Sequence, residues 1–461
     1  QGVLYPHWET WLTASVWGFS ERCEETNFLL DWWAVKWILV NTGTQPPGNP
    51  SKFLDRPDYY TSLANVSTIH VFLVRDHTSI ISATNAPTFL VISEQAAPGG
   101  GPYRDILNDI AYSNYNSCSV IPIHGNEYVD DYSLEELSMF DAVFLYGYKY
   151  HSRDRAWELL EEYVRGGGDL IIETGYSPDA DAPFIPPPSP VNRTTWTNFG
   201  MEWHFSCINS SVTDMIDFAA FSPAVNEGAA WGISSSLNES IRGWAWPVLW
   251  DSGHPIVVMG EYGKGRVVWC GMNLPWHIAV YKNREESRFL SKMVDWTSRA
   301  PEKTRVQVKC DAERVNPEKV VVRVDGAASG ILFKEFYFKD WHAFLEKDGR
   351  RIRELKICRA GPDFMYIAIP RDSEYPIRIV FEFSRVIEYT GLSVSATALF
   401  LLLAYGVAGE RLVAPLASVV SKIKEKAKSS IRSIRIRRAE RHNSPTWDNL
   451  DMRPPIHRVD T

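Results

Sequence analysis

The chain has 461 residues, a formal charge of −8 and 13% aromatic residues, among them 18 Trp. Residues 410–461 hold twelve Lys/Arg against six Asp/Glu, or +6, so residues 1–409 carry −14. That acidity argues against nucleic acid as a partner, since phosphate binding needs clustered cations. Six cysteines (Cys23, Cys118, Cys207, Cys270, Cys310, Cys358) form no CxxC pair, which excludes zinc-finger and thioredoxin-like chemistry and leaves one or two disulfides that sequence cannot pair.

Gln1 opens the chain without an initiator Met, which leaves two readings, a removed leader or the C-terminal portion of something longer. Residues 1–85 predict a small α+β element. A helical stretch (Thr26–Trp33) and the apolar runs Ala34–Asn41 and Thr68–Arg75 surround the turn-rich loop TGTQPPGNPSK. From 86 to 299 short apolar runs alternate with amphipathic helices. APTFLVIS, SVIPIHG, DAVFLYGY and DLIIETGY predict strands; PYRDILNDIAYSN and SRDRAWELLEEYVRGGG predict helices, the latter with a glycine stop. This pattern predicts a doubly wound parallel α/β sheet. A Trp- and Pro-rich excursion at about 177–250 interrupts it, and the sheet resumes with HPIVVMGEYGKGRVVWCGMN and closes with the helix NREESRFLSKMVDWTSR.

Residues 300–388 predict a β-sandwich of short alternating runs between Gly, Pro and Asp turns. The run 389–409, YTGLSVSATALFLLLAYGVAG, holds no charge. A helix of that length spans roughly 31 Å, which predicts a transmembrane helix. From Arg411 to Arg441 there are ten Lys or Arg against Glu425 and Glu440, the bias of a cytoplasmic flank. The expectation is a single-pass cell-membrane protein, with 1–388 extracytoplasmic and 410–461 a basic cytoplasmic tail touching membrane lipids. Four sequons (Asn65, Asn192, Asn209, Asn238) are N-glycosylation candidates on the outer side.

The strings FDAVFLYGY…LLEEYVRGGGDLIIETG and GKGRVVWCGMN resemble the class I glutamine-amidotransferase-like fold over about 87–298, in the manner of non-catalytic members such as accessory domains of galactosidase-like proteins. Active members carry a Cys on a strained elbow after the strand matching DLIIETGY. Here those positions are Glu173, Thr174, Gly175 and Tyr176, and the family's His–x–Glu signature is absent around His277. The resemblance therefore implies a degenerate domain without amidotransferase chemistry. ILFKEFYFKDWHAFLEKDGRRIRELKICRAGPDFMYIAIP and the hydrophobic run after it resemble the last extracytoplasmic domain of YfhO-like membrane proteins. These belong to the glycosyltransferase-C-like group, with archaeal members labelled as related to 6-pyruvoyl-tetrahydropterin synthase. The features shared are Tyr337 and Trp341, the turn Arg359–Gly361 and, at the N-terminal end, LLDWWAVKWILVN. The group's chemistry is attributed to loops between N-terminal spans, which this sequence does not contain.

The candidate ligand surface is the carboxyl edge of the parallel sheet, where such folds bind ligands. It gathers Tyr148, His151, Glu173, Tyr176, Trp276 and His277. Tyr and Trp offer flat faces to sugar rings, and Glu and His bond hydroxyls. Leftover rim residues of a lost catalytic site fit the same positions. Asp179 and Asp181 in PDADAP lack a third acidic partner, and APGGGP (97–102) lacks the Lys-Ser/Thr of a P-loop, so neither a metal nor a cofactor is expected. Trp196, Trp203, Trp231, Trp244, Trp246 and Trp250 crowd the excursion as a binding lid or as its packing. Three functions follow. One is a non-catalytic module that binds a glycan, a lipid-linked sugar or a membrane-protein partner beside a glycosyltransferase-C-like assembly. The second is a cell-surface scaffold. The third is a hydrolase with its site near Glu173 and His277.

Overall fold

The computed structural model describes residues 30–43, 50–75, 77–94, 101–112, 120–299, 307–384 and 386–408, with Ser421 and Lys424. The chain divides into two compact units, Gln1–Phe383 and Ser384–Thr461.

In the first unit, β1 (Trp37–Asn41), the one-turn helix α1 (Ser51–Leu54), β2 (Tyr60–Val66) and β3 (Ile69–Val74) form a small antiparallel sheet over Ile38, Val40, Phe53, Tyr60 and Phe72. Then follow β4 (Ile81–Thr84), β5 (Thr88–Ile92), α2 (Pro102–Tyr112), β6 (Ile121–His124), α3 (Leu134–Leu137), β7 (Ala142–Tyr146), α4 (Arg153–Gly166) and β8 (Asp169–Glu173). The excursion supplies β9 (Thr195–Thr197), β10 (Phe205–Cys207), β11 (Val225–Asn226), β12 (Ala229–Ala230), β13 (Ile233–Ser235) and β14 (Ala245–Asp251). Next come β15 (His254–Tyr262), β16 (Gly265–Cys270), α5 (Leu274–Tyr281) and α6 (Arg284–Ser298). The rest of the unit is β17 (Gln307–Val308), β18 (Cys310–Asn316), β19 (Lys319–Val324), β20 (Gly330–Phe336), β21 (Trp341–Lys347), β22 (Arg350–Leu355), β23 (Ile357–Ala360), β24 (Phe364–Ala368) and β25 (Ile377–Phe383).

The strands β6, β5, β7, β8 and β16 run parallel in that order. At every position β5, β7 and β8 are buried, as strands covered on both faces must be. Helices α2, α5 and α6 pack together, and α4 packs against β8 and β16 with α3 beside it. Helix α4 starts at Ser152, whose side chain accepts the Arg155 N–H, and stops at Gly167 with φ 113°, a left-handed turn that glycine adopts without strain.

The assembly corrects the expected fold class. The parallel strands are not a doubly wound domain of their own; they are the middle of one mixed sheet of 13 strands, β10-β14-β15-β16-β8-β7-β5-β6-β23-β24-β20-β4-β17. The region 300–388 is not a self-contained sandwich either. Its β17, β20, β23 and β24 join the large sheet, and only β18-β19-β25-β21-β22 form a second sheet facing that edge. Alternation along the strand explains the arrangement. In β20 and β24, Ile331, Phe333, Met365 and Ile367 face the core shared with the second sheet, while Leu332, Phe364 and Tyr366 face the main core. One pair of strands thus seals two cores.

In the second unit the described helix is α7 (Val386–Ala408). Among the described residues no helix is long and apolar enough to cross a membrane. This overturns the transmembrane helix expected at 389–409. The single-pass membrane localisation, with 1–388 outside and 410–461 inside, falls with it. Helix α7 takes in Thr390, Ser393, Ser395 and Thr397 after Glu388, and Thr397 turns its hydroxyl back to the Ser393 carbonyl at 2.8 Å. The basic tail lies outside the described residues, apart from Ser421 and Lys424.

Phe333 meets Phe381 across the two sheets, with ring centroids 5.2 Å apart. Phe333→Ala should cost about 3–5 kcal/mol by opening a cavity between them, read as a lower midpoint in equilibrium denaturation. An unchanged midpoint would mean the two sheets do not depend on each other.

Candidate functional site

The strand β8 ends in Glu173, and its side chain organises the carboxyl edge. One carboxylate oxygen accepts the N–H groups of Gly175 at 2.8 Å and Asn273 at 3.0 Å; the other accepts Leu274 N–H at 3.2 Å. Helix α5 starts at Leu274, so the carboxylate sits where a helix presents N–H groups with no partner inside the helix. The Cys270 thiol on β16 also bonds it, and burial pushes that thiol well above its ordinary range. Tyr146 O–H donates to Asn273 at 2.9 Å and Trp269 N–H to Thr174 at 2.9 Å. Glu173 is therefore a structural tie between β8, its turn and α5.

Glycines bring the surrounding loops together. A Cβ on Gly175 would collide with the Asn273 backbone, one on Gly271 with the Ser234 carbonyl, and one on Gly232 with the indole of Trp196. Beside these close approaches stand three exposed rings, one after β8, one on α5 and one on β9. Tyr176 (48% exposed) follows Gly175, Trp276 (39%) lies three residues after Asn273, and Trp196 (47%) lies over Gly232. Trp276 stacks on the buried Trp231 at 5.1 Å. Trp231 in turn donates its indole N–H to the Met272 carbonyl at 2.9 Å.

The six residues expected from sequence have different fates. Tyr176 and Trp276 are on the rim. Tyr176 donates to Glu94 at 3.0 Å, and Glu94 and Glu127 share Lys149 at 3.1 and 3.3 Å. Tyr148 is buried and donates to Asp179 at 2.8 Å; Arg153 grips the same carboxylate at 2.9 Å. Asp179 is buried and thus serves an ion pair. His151 is exposed, stacked on Tyr128 at 3.9 Å and 3.3 Å from Asp131. His277 is buried against Glu286 and does not meet Glu173 in any hydrogen bond among the described residues.

Glu94, Lys149 and Glu286 are residues that the sequence does not single out, and Trp196 stands there only within the six-tryptophan lid. Trp196 was one tryptophan among six in the excursion, and only the glycine at 232 hinted that a ring lay flat nearby. Among the described residues no group of three or more His, Cys, Asp or Glu is placed to hold a metal ion. Cys207, Cys270, Cys310 and Cys358 are free thiols. Asn65, Asn209 and Asn238 are exposed and Asn192 is half-buried.

Burial pushes Glu173 from 4.5 up to about 7, against the pull of its hydrogen bonds, and Asp105 on α2 up to about 7 as well. Between about pH 4.5 and pH 7 the folded chain holds a proton at Glu173 that the unfolded chain has released. The stability this proton brings is full below the lower value and is lost as pH rises to the upper one. Glu173→Gln should therefore flatten the fall in stability across that window by roughly 3 kcal/mol relative to the parent. Denaturation curves at several pH values check this, and parallel curves for the two proteins would contradict it. Gly175→Ala should destabilise by about 1–3 kcal/mol through forced displacement of Asn273, read as a lowered melting temperature.

Residues 117–182, from β6 to just past Tyr176, match a family described as Domain of unknown function (DUF8560). No curated protein matches the chain. Among solved structures the chain is similar to Cytoplasmic Protein STM1381 from Salmonella typhimurium LT2, at 13% identity and TM-score 0.32, over 46% of this chain and 99% of that one. It is similar to alpha-L-fucosidase isoenzyme 2 from Paenibacillus thiaminolyticus at 10% identity and TM-score 0.28, over 66% of this chain and 49% of that one. A beta-galactosidase from Bacillus circulans sp. alkalophilus is similar at 9% identity and TM-score 0.27, over 65% and 42% of the two chains. Likenesses at these scores say nothing about activity.

Proposed function

We propose that this chain is a non-catalytic glycan-binding module whose receptor surface is the carboxyl edge of the parallel strands. The observation that carries the reading is the set of three exposed rings, Tyr176 just after β8, Trp276 in the first turn of α5 and Trp196 on β9, beside the close approaches at Gly175 and Gly232. Flat aromatic faces stack on the apolar faces of sugar rings. Glu94 and Lys149 beside Tyr176 offer an acceptor and a donor for hydroxyls. The edge's reactive side chains are committed elsewhere. Glu173 is tied to three backbone N–H groups, the Cys270 thiol is pushed up, and His277 faces Glu286. Binding without turnover suits that arrangement better than hydrolysis at Glu173 and His277. A role beside sugar transfer also suits the resemblance to glycosyltransferase-C-like proteins over about 26–85 and 301–409.

The test is a glycan array followed by calorimetric titration of the best oligosaccharide. Trp276→Ala and Trp196→Ala should each weaken binding about tenfold, as loss of roughly 1.4 kcal/mol of ring stacking requires, with melting temperatures held. Retained affinity in both variants, or silence across the array, would refute the reading.

A further inference from the structure

The hairpin at 222–231, formed by β11 and β12, hangs on α5 and α6 through bonds to its backbone. Glu286 accepts the Ser222 N–H at 2.7 Å, His277 Nε2 meets the Pro223 carbonyl at 3.2 Å, and Tyr281 O–H donates to the Val225 carbonyl. His277 Nδ1 lies 2.7 Å from the other Glu286 oxygen. These two residues are 2% and 0% exposed. Trp231 and Trp203 set their rings at steep angles to the imidazole, at 4.6 and 5.8 Å. The hairpin ends in Trp231, the ring on which Trp276 rests.

Proton counting shows what the pair holds. A carbonyl oxygen can only accept, so His277 Nε2 carries a hydrogen. The 2.7 Å contact between Nδ1 and the carboxylate then needs a second hydrogen, on the ring or on the acid. The pair therefore contains one proton more than a neutral histidine beside a carboxylate. If that proton leaves, one of the two imidazole bonds becomes a contact between lone pairs. In a dry, aromatic-walled site such a contact is costly. The other titratable groups at the pair are Tyr281, whose ring centroid lies 4.7 Å from the imidazole, and Asp109 from α2 with Asp105 beside it. Burial, with Asp105 and Glu286 nearby, pushes the Asp109 carboxyl well above the usual carboxylate range.

We propose that the proton shared by His277 and Glu286 latches the 222–231 hairpin, and that releasing it frees Trp231 and unseats Trp276, so ligand binding at the ring platform is switched off as pH rises. The regulation rests on the glycan-binding reading; the latch itself does not. His277 and Glu286 are positioning residues here, acting on the platform through the hairpin.

The test uses the full chain. Hydrogen exchange by mass spectrometry, corrected for the intrinsic rate, is followed over 222–231 from about pH 6 to about pH 9, alongside binding to the same glycan array. Replacing His277 or Glu286 strips a buried pair and can unfold the protein. Tyr281→Phe therefore serves as the mild variant, removing one hairpin bond and leaving the pair intact. The expected result is a step of about tenfold in hairpin exchange as pH rises, with array binding lost over the same step, and with the step at lower pH in Tyr281→Phe. Hairpin protection that does not change with pH relative to the neighbouring helices would overturn the latch. A hairpin that opens while array binding persists would overturn its control of the platform. A step in exchange with no array binding at any pH would uphold the latch and refute the glycan reading.

Discussion

The arrangement of the candidate site depends on one buried carboxylate. Glu173 gathers N–H groups from its own turn and from the start of α5. Without it, three polar backbone groups at the sheet's carboxyl edge would be left in a dry interior, each at a cost of a few kcal/mol. An aliphatic side chain at 173 would leave the α5 N-terminus unanswered. The price is a carboxyl group whose proton is hard to remove. The same tie fixes where the turn after β8 and the start of α5 stand, and hence where Tyr176 and Trp276 face solvent.

How much of this was legible in the sequence varies with the kind of information involved. The strings DAVFLYGY and DLIIETGY become β7 and β8, and RGGGD stops α4 at Gly167, because apolar runs and glycine punctuation are local signals. Which sheet a strand joins is not local. Nothing in ILFKEFYF says that Leu332 and Phe333 will seal different cores, so the strands of 300–388 were assigned to a sandwich of their own. At the site, Tyr176 and Trp276 stand exposed because they follow β8 and β16, strands whose apolar runs are local signals. The partnership of His277 with Glu286 was not found, because it joins two helices across a turn and no spacing rule announces it.

The platform and its latch use the aromatic residues in two ways. Trp231, Trp203 and the phenylalanines at 205, 218, 221 and 289 fill space beneath the excursion, giving a segment with little regular structure a core of its own. Trp196, Trp276 and Tyr176 turn outward from that packing. A ring held from below by another ring loses little freedom when it binds, which favours affinity. It also makes the outer rings sensitive to anything that moves the inner ones, which is why the buried pair beneath Trp231 bears on binding at all.

The most direct test of the binding account is to watch the indole N–H signals of the 18 tryptophans by two-dimensional NMR during titration with an oligosaccharide. The account predicts that the signals of Trp196 and Trp276 move first and furthest, with Trp231 following, while those of the buried Trp157 and Trp269 stay in place. Shifts centred on any other tryptophan, or none at saturating sugar, would contradict it.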